Sequence, residues 1–204
     1  MRKNFYKQEA GRVMQPVGVL AIQGDFEKHK SMLLSLGREV VEVRTPEQLF
    51  ATQALIIPGG ESTTLVKFFK EFKLDKAIRQ YAAAHPVMGT CAGLIVLAKK
   101  VDNITSNLLG LIDIEVRRNA YGRQKESFVD QIQINLNGST STFEGVFIRA
   151  PRISHYDKKI KILGKYKDDV VMAASDNILV CTFHPELTTD TRIHNYFLKF
   201  FLKE

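Results

Sequence analysis

Three observations predict a doubly wound α/β domain of three layers, α/β/α. The first hundred residues alternate short apolar runs with amphipathic segments, the order that builds a parallel sheet covered by helices. Several of these apolar runs are almost unbroken, as strands buried on both faces require. The chain has 204 residues, 45% hydrophobic and 25% charged, enough to bury about 70% of the surface of its unfolded state around one core.

Residues 17–23 (VGVLAIQ) read as a buried strand that ends at Gly24. Asp25 stands at a helix cap, Phe26, Leu33 and Leu34 supply an inward stripe, and Gly37 sits where a helix commonly stops. Residues 39–43 repeat the strand pattern, residues 46–50 form a short helix, and residues 54–57 make a third strand running into Pro58-Gly59-Gly60. Helices are predicted over 62–72 and 74–84, a strand over 86–90 and a helix over 92–100. From Ile112 the texture becomes strand-like, over 112–116, 127–135, 143–148, 162–166, 170–174 and 178–183, with some of these antiparallel. Together they read as a flavodoxin-like mixed sheet. In the last helix Ile193, Tyr196, Phe197, Phe200 and Phe201 fall at i, i+3, i+4, i+7 and i+8, a packing face without chemistry of its own. No repeat or linker interrupts residues 17–204, which form one domain; residues 1–16, polar and basic, form an N-terminal extension.

The longest apolar runs, 94–98 and 170–174, fall far short of the ~20 residues that cross a bilayer, so no membrane partner is expected. Residues 1–16 lack the features of a secretory signal. The two cysteines, Cys91 and Cys181, lie far apart in a chain that needs no staple. A cytoplasmic location follows, and there the glycosylation-type matches at Asn103 and Asn137 carry no meaning. A formal charge of +7 raises the question of nucleic acid. Its distribution argues against it: Arg2, Lys3, Lys7 and Arg12 sit in the extension, and the basic stretch 158–167 is followed at once by Asp168 and Asp169.

Gly89-Thr90-Cys91-Ala92-Gly93 lies where a buried strand meets a helix, and glycines two positions either side of a nucleophile permit a sharp elbow that exposes the thiol. The helix N-terminus there favours a thiolate. An inert core cysteine is the competing reading for this motif alone. A cysteine nucleophile needs a base, and the base a group to orient it. His184-Pro185-Glu186 supplies both, an extended backbone placing residues two apart on the same side. His29, His85, His155 and His194 have no such neighbour and read as surface or satisfied core residues. Pro58-Gly59-Gly60-Glu61-Ser62 also joins a strand to a helix, so the Gly60 amide can be half of an oxyanion hole and Ala92 the other half. A plain turn is the alternative for this loop, and a phosphate cradle fits less well because neither common phosphate-binding glycine pattern occurs. Zinc held by Cys91, Cys181 and His184 lacks a recognisable fourth ligand, so no metal is predicted.

The elbow GTCAG, the loop PGGES and the late HPE together resemble the class I, triad-type glutamine amidotransferases. Within that class, LAIQG at 20–24, RTPEQL at 44–49, PGGESTT at 58–64, GTCAGLIVLAK at 89–99, RNAYGRQ at 118–124, FIRAP at 147–151 and FHPEL at 183–187 are similar to the glutaminase subunits of pyridoxal 5'-phosphate synthases. RNAYGRQ and FIRAP are the segments specific to that subfamily. The resemblance runs from about Val17 onward, with no clear counterpart for residues 152–161.

It implies Cys91 as nucleophile, His184 and Glu186 completing the triad, and Gly60, Glu61, Ser62, Arg118, Ile148 and Arg149 at a glutamine site. Arginine and glutamate suit the α-carboxylate and α-ammonium of free glutamine. The implied reaction is hydrolysis of L-glutamine to L-glutamate and ammonia through a glutamyl thioester, without a cofactor. The implied partner is a ring-forming acceptor subunit that builds pyridoxal 5'-phosphate from a pentose phosphate and a triose phosphate. Its docking would complete the oxyanion hole near Gln23 and the first helix. Two rivals use the same residues: a free-standing cysteine hydrolase of the γ-glutamyl hydrolase kind, and a catalytically silent binding module. Partner dependence and an ammonia product discriminate the first, and an intact Cys91, His184 and Glu186 argues against the second.

Overall fold

A computed structural model describes residues 15–103, 108–118, 120 and 127–202. The proposed extension, apart from Gln15 and Pro16, and most of the RNAYGRQ segment lie outside the described residues.

The first half of the chain winds as its pattern requires: β1 (Val17–Leu20), α1 (Phe26–Ser35), β2 (Val40–Val43), α2 (Pro46–Phe50), β3 (Ala54–Ile57), α3 (Ser62–Glu71), α4 (Leu74–Ala82), β4 (Val87–Thr90) and α5 (Ala92–Leu97). Local chemistry sets several ends. Thr45 and Gln48 form a capping box around Pro46 at the start of α2. Gly37 follows α1 at φ 73°, the left-handed value that releases a chain from a helix. β1 stops three residues earlier than its apolar run, because Gln23 turns away to hydrogen bond the Glu61 carbonyl oxygen at 2.6 Å.

The second half adds β5 (Ala98–Val101), β6 (Ile112–Arg117), β7 (Ser127–Leu136), β8 (Ser139–Ile148), β9 (Arg152–Tyr156), β10 (Lys161–Tyr166), β11 (Asp169–Ala174), β12 (Ile178–Cys181) and α6 (Arg192–Tyr196), which continues as a π-helical turn over Phe197–Phe201. Nine strands form one sheet in the order β2-β1-β3-β4-β12-β11-β10-β7-β8. The first five are parallel and the remaining pairings antiparallel. Leu20, Leu55 and Ile57 pack on one face with Leu65, Phe69, Ile78 and Leu94 of α3, α4 and α5. Val17, Val19, Ala54 and Ile56 pack on the other with Leu33 of α1 and Ile193, Tyr196 and Phe197 of the C-terminal helix. This is the predicted three-layer α/β/α arrangement with a mixed sheet. No helix among the described residues is long and apolar enough to cross a membrane.

Three departures have local causes. The helix expected over 92–100 ends at Leu97, and Ala98–Val101 becomes β5, parallel to β6. The amides of Leu109 and Leu111 take the carbonyls of Val96 and Leu97 at 2.7 and 2.8 Å, while Lys99 and Lys100 pair with Asp113 and Glu115 across the strands. β9 is a strand although no periodicity marks it; only Ile153 is buried, and it joins β6 in a small second sheet, β5-β6-β9. Finally β8 begins at Ser139 rather than Phe143, because Asn137 and Gly138, both at positive φ (53° and 82°), form a two-residue turn that pairs Leu136 with Ser139.

Sheet order decides where the chemistry gathers. β4 and β12 are adjacent and parallel, Thr90 opposite Cys181, so the residues that follow each strand leave the sheet at one carboxyl edge.

Candidate active site

Cys91 occupies the corner between β4 and α5 with φ 49° and ψ −103°, outside every ordinary basin for a non-glycine residue. Such a corner stores roughly 1–3 kcal/mol and persists because its surroundings fix it. Gly93 is what lets α5 approach the sheet, since a Cβ there would stand 2.1 Å from the Ile57 carbonyl oxygen. Backbone cannot yield as a side-chain tip can. Gly93→Ala is therefore expected to cost at least about 1–3 kcal/mol of stability, read as a lower urea midpoint; an unchanged midpoint would show that α5 moves freely.

Cys91 is 7% exposed, reachable but sheltered, and its thiol donates weakly to the Ile148 carbonyl oxygen at 3.7 Å. Across from it stands His184, whose amide is held by the Val146 carbonyl oxygen at 2.8 Å. Its Nδ1 lies 2.7 Å from Oε1 of Glu186. The two are joined by a turn rather than an extended step: β12 ends at Cys181, and Pro185–Leu187 form one 3-10 turn that brings the carboxylate back under the ring. The expected pairing is present, but the extended backbone invoked for it is not.

Electrostatics make this a charged pair. Burial alone would lower His184, yet hydrogen bonding to Cys91 and Glu186 and their negative charge carry the imidazole up to about 10. Burial likewise opposes ionisation of Glu186, but the imidazoles of His29 and His184 on either side of it hold the carboxyl well below the usual carboxylate range. With Nδ1–H directed at Glu186, Nε2 is the ring nitrogen left to exchange a proton with sulfur.

A pocket of about 560 Å³ opens onto the thiol and the imidazole, lined also by Gly60, Glu61, Ser62, Arg118, Ile148 and Arg149. All six residues expected at a glutamine site therefore reach the same cavity as Cys91 and His184. Two of them have structural duties as well. Glu61 caps α3: its Oε2 accepts from the Thr64 amide and from both threonine hydroxyls of Thr63 and Thr64, and Oε1 from the Thr63 amide at 3.1 Å. Burial opposes its charge, but those four bonds prevail and bring the carboxyl down to about 2. Its second oxygen retains a lone pair for a cation. Arg118 donates to the Ser62 hydroxyl at 3.4 Å, which ties the arginine to the loop. Arg149 sits at φ 43°, just beyond β8.

Other participants were not legible beforehand. Gly59 abuts His184, for a Cβ there would lie 2.4 Å from Cε1 of its ring. Asp25 caps α1 by backbone position only; its side chain makes no capping bond and lines the pocket mouth. His29 and His194 are fully buried, as satisfied core residues would be, but His29 also lies 3.3 Å from Glu186. The spacing of Asp25 and His29, four apart on α1, was the one available signal that both face the same end of the sheet.

Among the described residues Asp25, His184 and Glu186 form one group whose ligating atoms lie within 4.8 Å of one another. Its two buried members are already bonded to each other. Cys181, the other sulfur considered, is sealed in the core, where burial and the charge of Glu186 push its thiol up.

Comparison with known proteins places this site in context. Residues 19–203 match the model of the SNO glutamine amidotransferase family. The chain is 49% identical over 183 residues to the pyridoxal 5'-phosphate synthase subunit PdxT of Thermosipho africanus, covering 89% of this chain and 96% of that protein. It is 48% identical over 184 residues to the subunit of the same name from Thermotoga maritima, covering 90% and 97%. A crystal structure described as a glutamine amidotransferase superposes with a TM-score of 0.84 at 42% identity, covering 90% of this chain and 97% of that one. The structure of PurLQS from Thermotoga maritima shares the fold at a TM-score of 0.70 and 13% identity, covering 92% and 99%.

Proposed function

The chain belongs to the SNO glutamine amidotransferase family and is a glutamine amidotransferase; from that premise we propose that it is the glutaminase of a pyridoxal 5'-phosphate synthase, with Cys91, His184 and Glu186 as its triad. The observation that carries this reading is the meeting of thiol and imidazole at one pocket, with His184 oriented from behind by a 2.7 Å bond to Glu186.

L-Glutamine enters with its α-carboxylate toward Arg118 and Arg149 and its α-ammonium toward Glu61, a charge pattern that matches the amino-acid zwitterion. The Cys91 thiolate adds to the side-chain amide carbon. The amides of Gly60 and Ala92 receive the oxyanion; Ala92 opens α5, where an N–H has no partner within its helix. His184 gives its Nε2 proton to the departing nitrogen, and ammonia leaves a glutamyl thioester. The same nitrogen then takes a proton from water as it attacks the thioester, and glutamate departs with the thiol restored.

Free ammonia in neutral water is mostly ammonium and no nucleophile, so the product is useful only if a synthase acceptor subunit receives it directly. Its relatives are named as subunits of pyridoxal 5'-phosphate synthase, which supports such a partner. Docking over the Gln23 loop and α1 completes the oxyanion hole, since Gln23 already grips the Glu61 carbonyl oxygen beside Gly60. Cys91 must stay reduced to act, and the cytoplasm is the location this reading assigns. Glutamate release is to be measured for the purified chain with and without its cognate synthase subunit. Stimulation by the partner is expected, and no glutamate from the mixture would overturn the assignment.

A further inference from the structure

We propose that His29 is a positioning residue for the glutaminase reaction, holding Glu186 by its second carboxylate oxygen while His194 behind it fixes the ring's hydrogen pattern. The inference rests on the triad assignment above and extends it into the layer beneath.

Glu186 is 2% exposed, and its Oε1 is taken by His184. One bond leaves a carboxylate free to swing about its last torsion; a second on the other oxygen fixes its plane. Oε2 is sealed from solvent and has no well-aligned hydrogen bond among the described residues, and Nε2 of His29 lies 3.3 Å from it. The same Nε2 lies 3.2 Å from the Thr90 hydroxyl, the residue immediately before the nucleophile. His29 therefore bridges the end of β4 and the turn that carries the base.

His194 decides which nitrogen of His29 bears hydrogen. Its Nε2 lies 2.9 Å from Nδ1 of His29, and its own Nδ1 is buried without a hydrogen bond among the described residues. Burial, and then the neighbouring His29, bring His194 down to about 3, so His194 is neutral. If His194 donates, His29 keeps its hydrogen on Nε2, facing Glu186. If His29 donates through Nδ1, a carboxylate at 3.3 Å still demands a hydrogen on Nε2, and His29 is a cation. Either way the Nε2 hydrogen lies between the Thr90 hydroxyl and Oε2 of Glu186. The other titratable groups around Glu186 are His184 from the same turn, Asp25 from the head of α1 and Cys181 from β12. Among these described residues the nitrogen donors are His29 and His184. His29 does not line the pocket, so it acts on substrate only through Glu186 and His184.

The test is steady-state glutaminase kinetics of the complex with the cognate synthase, across the neutral pH range, for wild type, His29→Leu and His29→Gln. His29→Leu is expected to lower kcat roughly tenfold at neutral pH, the size of one lost charge-assisted bond, with KM for glutamine unchanged and the acid limb moved to higher pH. His29→Gln, whose Nε2 can occupy the place of the ring nitrogen, is expected to recover most of the rate. A folded His29→Leu with the wild-type kcat and pH profile would overturn the proposal, as would a folded His29→Gln no better than His29→Leu. Should His29→Leu fail to fold, His29→Gln is compared with the shorter His29→Asn, and equal kinetics for these two would overturn it. A wild-type complex without glutaminase activity, or a Cys91→Ala complex that keeps it, would instead indict the triad assignment.

Discussion

Cys91→Ala is expected to abolish glutamine hydrolysis, lowering kcat by about four to six orders of magnitude, because no other group can form the thioester. Cys181 cannot replace it, being buried in the core with its thiol held protonated. The substitution removes one sulfur that donates weakly to the Ile148 carbonyl oxygen, so the melting temperature and synthase binding are expected to change little. Glutamate release measured in the synthase complex, beside a thermal melt, separates chemistry from folding. Retained hydrolysis would remove Cys91 from the mechanism.

The second large effect is expected of Glu186→Gln, which preserves shape and removes charge. Both neighbours of this side chain, Nδ1 of His184 at 2.7 Å and Nε2 of His29 at 3.3 Å, are ring nitrogens that can carry a hydrogen toward it. A carboxylate accepts from both. An amide has one oxygen, so its NH₂ must confront either His184 or His29, and the favourable tautomer of the base is lost. A fall in kcat of about 10³ to 10⁴-fold is expected, the scale on which a triad carboxylate acts when its removal misorients the imidazole. Glu186 does not line the pocket, so KM for glutamine is expected to hold while kcat falls. Equal kinetics for wild type and Glu186→Gln would exclude it from the triad.

Much of this architecture was legible because the sequence signals were local. The run ending at Thr90, with glycines at 89 and 93, states a strand, a corner and a helix within a few residues. His184 and Glu186 are two apart, so any chain conformation that keeps them on one side lets them meet; the extended step was the wrong conformation and the meeting still occurred. What escaped was set by distant partners. Ala98–Val101 reads as the tail of a helix until β6 lies beside it, and Arg152–Tyr156 has one buried residue with which to announce a strand. Asn137-Gly138 carried a hairpin signal that a glycosylation pattern obscured. His29 and His194, 165 positions apart, have no spacing to exploit, because only the packing of α1 and α6 on one face of the sheet brings them together.

The place of β12 between β4 and β11 has a consequence for biosynthesis. During translation β12, which ends at Cys181, and the turn after it emerge long after the corner that holds the sulfur, yet β12 must insert into the middle of the sheet, not add at its margin. A ribosome-bound N-terminal half exposes one flank of β4 awaiting a strand not yet made, a slow, non-local closure. On the proposed triad, the thiol has no imidazole until that insertion, and unfinished chains are expected to leave glutamine untouched. The insertion that completes the fold would then also switch on the chemistry.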